Sequence, residues 1–210
     1  MSPRIRIQTD ADRMACYAAL AAAFSYPGPS LFHVWPHWAQ DEQGLVTEYD
    51  RLFRAQSLWL YGAEHLAENE FQRARLLSDI MGFYRAFGIE PDKERPDALA
   101  CELEFMRCLI LKQHRVGSGA VADPTGDKAD VCRQAQRTFF QEHLAPAAAQ
   151  IAPEVQVRTT HPFYRQAADD LLMLVEAECG NLGISPPQPH EKRRWDTPCD
   201  PQDSCGDACI

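Results

Sequence analysis

Pro96 and Asp97 stand directly before an apolar series at Leu99, Leu103, Met106 and Ile110, and this stretch most narrows what the chain can form. Spacings of three and four residues place those side chains on one face of an α-helix, where a strand would need alternation. Pro96 has a fixed φ and no N–H, which suits a loop entering a helix. Asp97 can accept the unbonded N–H groups of the first turn, so it is the expected cap. Glu102 and Glu104 follow in the early turns, where the helix dipole favours anions. Gly117-Ser118-Gly119 stops the helix beyond Val116.

The same period recurs along the chain. A first helix is expected from Asp10 to Phe24, capped by Thr9 or Asp10, with Met14, Tyr17, Ala18, Ala21 and Phe24 on one face. Ser25 to Pro29 breaks it, and an aromatic piece from Leu31 to Trp38 is interrupted by Pro36. A helix over Gln43 to Arg54 follows. Ser57 to Gly62 has no clear period and reads as an ordered apolar loop. The strongest pattern covers Asn69 to Phe87, with Phe71, Ala74, Leu77, Met81, Tyr84 and Phe87 expected inward and Gly88 as the left-handed stop. Another helix is expected from Ala129 to Leu144, with Val131, Ala135, Phe139 and Leu144 inward and Pro146 kinking or restarting it. His161-Pro162 opens the last one, which runs to about Leu182 with Phe163, Ala167, Leu171, Leu174 and Val175 inward.

No strand-period segment and no internal repeat is present. The expected architecture is all-α: a single globular helical domain over residues 1–184 with a flexible Cys- and Pro-containing tail over residues 185–210. Past Gly183 the chain carries four prolines by Pro198, and only Ile184, Trp195 and Ile210 are large and apolar. Such a segment buries too little surface to offset its ordering entropy.

Composition excludes several function classes. The 210 residues are 45% apolar, enough for a sizeable core. A formal charge of −9 argues against a general nucleic-acid binder, which needs a basic face. No apolar run is long enough to span a membrane, and the first residues carry no signal-peptide core, so a cytoplasmic protein is expected. Cys16, Cys101, Cys108, Cys132 and Cys179 fall within expected helices, where a thiol behaves as a small apolar group.

Enzyme motifs are missing: there is no phosphate loop, no Gly-x-Ser-x-Gly elbow and no His-Glu-x-x-His helix. Glu102 and Glu104 point to different helix faces and do not converge on one substrate, which reads as solvated helix charge. His114 and His143, near helix ends, read as dipole-compensating surface residues. No catalytic residue and no cofactor, nucleotide included, is expected. Cys199, Cys205 and Cys209 are the candidate metal ligands, since tethered thiolates can wrap a soft ion. Their spacing is not a compact cysteine knuckle, and Asp200, Asp203 and Asp207 raise thiol pKa values, so the reading is no metal site.

The loop after the second long helix is more informative. Leu52 and Phe53 end that helix, and Leu58, Trp59, Leu60 and Tyr61 follow. Beside the acidic start of the Asp97 helix they would line an apolar groove with an acidic rim, suited to a peptide whose basic residues precede apolar ones. A core plug beneath the helices is the alternative.

These motifs, in order, resemble the cytoplasmic chaperones that mature molybdenum redox enzymes, the TorD/DmsD/NarJ family. The resemblance runs from Glu48-Tyr-Asp-Arg-Leu-Phe53 through Trp59-Leu-Tyr61, Glu70-Phe-Gln-Arg73 and Phe83-Tyr-Arg-Ala-Phe-Gly88. It continues over Pro96 to Met106 and ends at Phe139-Phe-Gln-Glu-His-Leu144 with Pro146. It implies an all-helical protein that binds the N-terminal or twin-arginine leader segment of a molybdopterin oxidoreductase catalytic subunit. The family holds that subunit in the cytoplasm while cofactor is inserted. The resemblance places the peptide-binding residues at Leu52, Phe53, Trp59, Tyr61, Tyr84, Pro96, Asp97 and Glu102. Ala98 replaces the histidine that follows Pro-Asp in the export-proofreading branch. The branch serving nitrate reductase, dimethyl sulfide dehydrogenase and ethylbenzene dehydrogenase is the nearer likeness. A monomer is expected, with a dimer left open. The competing function is a metal or iron–sulfur carrier using the tail cysteines.

Overall fold

The structure is a computed structural model and describes residues 7, 9–56, 58–91, 94–121 and 126–187. Among them the fold is all-helical, and the single β-type pairing is a bridge between Tyr61 and Ala98. Cys199, Cys205 and Cys209 lie outside the described residues.

Helix α1 (Asp10–Ala23) starts in a capping box: the Thr9 hydroxyl accepts the Asp12 N–H at 3.1 Å, and the Asp12 carboxylate accepts the Thr9 N–H at 2.9 Å. A short α2 (Pro29–Val34) and a 3-10 turn (Pro36–Asp41) lead to α3 (Glu42–Tyr49). That helix continues as a π-helical turn over Asp50–Ala55. Glu48 ties it to the far end of the chain, accepting from Arg51 at 2.6 and 2.7 Å, Thr159 Oγ1 at 2.7 Å and the Thr160 N–H at 3.0 Å.

Helix α6 (Leu99–Gly117) is the axis of the fold, packed between α1 and α7 (Lys128–Phe139). All four residues of its expected face, Leu99, Leu103, Met106 and Ile110, are buried. Helix α8 (Ala145–Arg158) pairs with α9 (Pro162–Leu182), whose expected inward residues are likewise all buried. Gly183 takes φ +63° at the end of α9, which lets the Ile184 N–H reach back to the Cys179 carbonyl at 3.0 Å. Beneath these helices Arg13 is buried against Glu178, with Nε and Nη2 bonds of 2.8 and 2.7 Å, and Gln136 and Tyr17 complete the network.

Several expectations need correction. Helix α5 (Glu70–Ala86) forms and stops at Gly88 as expected, but only Ile80 and Tyr84 are buried, while Phe71 is 89% exposed and Ala74 is exposed. The helix lies at the edge of the bundle, so only its C-terminal half meets the core. Val131 of α7 faces solvent, and Cys132, Gln136 and Phe139 supply the inward face instead. The end of the apolar loop is a short helix, α4 (Gly62–Leu66), too brief to show a period. Finally, α7 and α8 are joined by a π-helical turn, Phe140–Leu144, in which the Ala145 N–H reaches the Phe140 carbonyl. Pro146 has no N–H for the Glu142 carbonyl, and the wider turn before it removes the clash an α-helical ladder would create. His143 sits within that turn and is buried, so it is not a surface residue at a helix end.

Candidate functional site

The loop entering α6 is built by cross-bracing. The Leu99 N–H donates to the Leu60 carbonyl and the Gly62 N–H to the Asp97 carbonyl, each at 2.8 Å. These bonds hold Leu58 to Tyr61 as an extended wall beside the start of α6. Tyr84 donates its hydroxyl to the Pro96 carbonyl at 2.7 Å from beneath. Gly62 sits in a tight place: a Cβ there would lie 3.2 Å from Ala147 Cβ and 3.3 Å from Glu102 Oε1, so these neighbours would have to give by a few tenths of an ångström.

Asp97 does not cap α6. The N-cap is Ala98, with no side-chain bond, and the fully buried Asp97 carboxylate instead accepts the Ala63 N–H of α4 at 3.1 Å. Arg95 holds both its oxygens, at 3.0 and 2.8 Å, and extends to Glu64 at 2.8 Å. The turn before Ala98 points the carboxylate at α4, where an amide and a guanidinium satisfy it better than one capping bond.

Glu102 lies behind the same wall and is fully buried, with Oε2 lacking a hydrogen-bond partner. Burial, and then the nearby Asp97 charge, push its carboxyl well above the usual range, which favours its protonated form. It is therefore not a solvated helix charge. Glu104, two residues on, faces out and pairs with Arg107 at 2.6 Å, so the two carboxylates do diverge.

In front of the wall is a cleft of about 460 Å³. Phe53, Leu60, Tyr61, Tyr26 and Tyr49 give it an aromatic and apolar lining, and Arg54, Glu94 and Glu104 are its charged groups. Tyr26, 46% exposed, meets Tyr49 edge-on at 5.3 Å, and Tyr49 packs on Phe53 at 4.8 Å. Burial pushes the Tyr49 hydroxyl up to about 12, so it stays a neutral donor at physiological pH. Guanidinium groups already stack on two of the rings: Arg54 over Tyr26 at 4.6 Å and Arg95 over Tyr61 at 4.3 Å.

Of the residues singled out in the sequence, Phe53 and Tyr61 line this cleft. Trp59 stands at its edge, half-exposed, 6.3 Å from Tyr61. Leu52 is buried in the core. Tyr84, Pro96, Asp97 and Glu102 form the layer behind the wall. Sequence reading missed Tyr26, Tyr49, Arg54 and Glu94. Tyr26 sits in a segment legible only as a helix break, and the other three carry no local signal tying them to it. The thiol in the lining, Cys101, is pushed up to about 11 by burial and then by neighbouring carboxylates, which makes it a poor nucleophile.

A family model described as the nitrate reductase delta subunit matches residues 9–152. The chain belongs to that family. The matched span covers α1 through the first half of α8, and so includes every lining residue of the cleft. Among its relatives is the selenate reductase assembly chaperone protein of Thauera selenatis, 31% identical over 190 residues, 82% of this chain and 90% of the relative. The chlorate reductase assembly chaperone protein of Ideonella dechloratans is 28% identical over 190 residues, 83% of this chain and 92% of the relative. The perchlorate reductase assembly chaperone protein of Dechloromonas aromatica (strain RCB) is 27% identical over 177 residues, 83% of this chain and 75% of the relative. The likeness read from the motif order is borne out by this membership of the nitrate reductase delta subunit family. No helix among the described residues is long and apolar enough to cross a membrane.

Proposed function

We propose that this protein is a maturation chaperone for the catalytic subunit of a molybdopterin oxidoreductase, in the cytoplasm, and is not itself an enzyme. The observation that carries the reading is that three relatives, each matching more than four-fifths of this chain, are named as assembly chaperones. Their reductases act on selenate, chlorate and perchlorate, so the client expected here is an oxyanion reductase of the same kind. The carrier alternative has no counterpart in those names.

The cleft is the binding site for the client's N-terminal segment. Apolar side chains enter between Phe53, Leu60 and Tyr61, and basic ones meet Glu94 and Glu104 at the rim. Tyr26 and Tyr61 already accept guanidinium groups on their faces, and an arginine of the client finds the same ring chemistry. Leu52, Tyr84, Pro96, Asp97 and Glu102 act from behind by fixing the wall. Binding holds the subunit until cofactor insertion is complete, and a twin-arginine leader is a segment the cleft suits.

Affinity capture from the native host, with the deletion strain as control, tests this. Co-purification of one oxidoreductase subunit in cofactor-free form, with loss of its activity on deletion, is expected. Recovery of unrelated proteins alongside normal activity in the deletion strain overturns the reading.

A further inference from the structure

We propose that Asp79, Glu142 and His143 form a binding site for a divalent cation of the zinc type, separate from the cleft. One carboxylate or ring-nitrogen atom of each lies within 4.8 Å of the other two. Asp79 comes from α5, and Glu142 and His143 from the π-helical turn between α7 and α8. His143 is only 2% exposed, its ring met edge-on by Phe83 at 5.8 Å and at a tilt by Phe139 at 5.2 Å. That packing leaves Nε2 directed at Asp79 Oδ2, 2.9 Å away, on the wall of an open cavity of about 780 Å³.

Two features point to a cation rather than to a chance grouping. Asp79 and Glu142 are exposed, and among the described residues neither forms an ion pair with a lysine or arginine. The site thus places two carboxylates without a lysine or arginine ion pair beside a buried imidazole, with Arg75 farther along the same cavity wall. Second, the ligand atoms of neighbours 142 and 143 lie within 4.8 Å of one another and of Asp79 in a π-helical turn, and isolated π turns are frequent at functional sites. The fold gains a clamp from this arrangement, because α5 is otherwise held by few buried residues.

Zinc accepts imidazole and carboxylate ligands at about 2.0–2.2 Å and leaves a fourth position to water in a three-ligand site. Such bonds set neighbouring ligand atoms a little over 3 Å apart, so the hydrogen bond between His143 and Asp79 opens by only a few tenths of an ångström. Nδ1 of His143 has no hydrogen-bond partner. A metal-bound histidine without that outer contact binds about 10–100-fold more weakly, so affinity about that much below a fully supported zinc site is expected.

The test uses full-length protein with Cys199, Cys205 and Cys209 replaced by serine, so that tail thiolates cannot compete. Co²⁺ is followed by absorption and Zn²⁺ by calorimetry. One equivalent should bind, with visible cobalt bands and no thiolate charge-transfer band. Asp79→Asn and Glu142→Gln alter exposed positions, and each should weaken binding by about 10-fold or more while helical circular dichroism is unchanged. Zinc should raise the thermal midpoint of the parent and leave that of Asp79→Asn unmoved. No binding at millimolar Zn²⁺, or binding indifferent to both substitutions, overturns the site. Neither result bears on the client cleft, which these residues do not touch.

Discussion

The carboxylate of Asp97 accepts a hydrogen bond from the backbone N–H of Ala63, so the residue that introduces α6 caps α4 instead. With Arg95 on both oxygens, the bond fastens α4, the extended wall and the head of α6 as one unit. Asp97→Ala therefore removes a bond between helices and leaves the Arg95 guanidinium with Glu64 and the Tyr61 ring. A loss of about 2 kcal/mol is expected, below the range for a fully buried pair because Arg95 is partly exposed. Asp97→Asn keeps an acceptor for Ala63 and should lose about half as much. Urea unfolding of the three proteins decides it, and an Asp97→Ala midpoint equal to wild type contradicts the bracing role.

Trp59 separates binding from folding. It stands half-exposed beside Tyr61, so Trp59→Ala should change stability by only about 0.5 kcal/mol. Under the proposed function it should still weaken the client's N-terminal peptide several-fold in calorimetry. Phe53→Ala should do both, since Phe53 lines the cleft and is also packed on Tyr49 and Tyr164. If both variants bind peptide normally, the peptide lies elsewhere.

What the sequence reveals here is set by how local each cause is. In α6 and α9 the apolar period and the buried face coincide, because both helices are surrounded by partners. In α5 the same period misleads: the bundle ends beside it, and Phe71 has nothing to pack on. Helix α4 is invisible because its cap comes from Asp97, distant in sequence. Phe53 and Tyr61 could be singled out through the family likeness. Tyr26 and Arg54 join the site only once α1, α3 and the wall are folded together.

Two buried carboxyls make opposite pH predictions. Glu102 has a raised folded pKa, so the folded state binds the extra proton. Its contribution is most favourable below the unfolded value of about 4.3 and is lost as pH rises toward the folded value. Glu102→Gln keeps the shape without the proton, and should stabilise the protein near neutral pH while flattening the slope of stability against pH. A slope identical to wild type above the unfolded value of about 4.3 contradicts a raised Glu102 pKa.

Glu48 behaves in the reverse sense. Hydrogen bonds from Arg51, opposed by burial and aided by Thr159 and the Thr160 N–H, hold its carboxyl down at about 2. That stability is fully present above the unfolded value of about 4.3 and disappears as pH falls through the folded one. Glu48→Gln should cost about 2 kcal/mol at neutral pH and almost nothing at about pH 2. Acid titration of unfolding midpoints for the two proteins should therefore converge at the low end, and parallel curves refute the assignment.

The end of the helical body can be located by truncation. Ile184 packs against the core, its N–H closes α9 on the Cys179 carbonyl, and Ile184, Ser185 and Pro187 line a groove with Leu66 and Pro146. Beyond Pro187 the sequence is rich in proline and polar residues, with Trp195 and Ile210 as its large apolar ones. A chain ending at Pro187 should keep the thermal midpoint of the full protein, whereas one ending at Gly183 should lose about 1–2 kcal/mol through the missing apolar contact and helix closure. Client maturation should survive the first truncation under the chaperone reading. If it fails there, and fails equally when Cys199, Cys205 and Cys209 are replaced by serine in the full chain, the tail thiols take part in maturation and the ranking of chaperone above carrier is reversed.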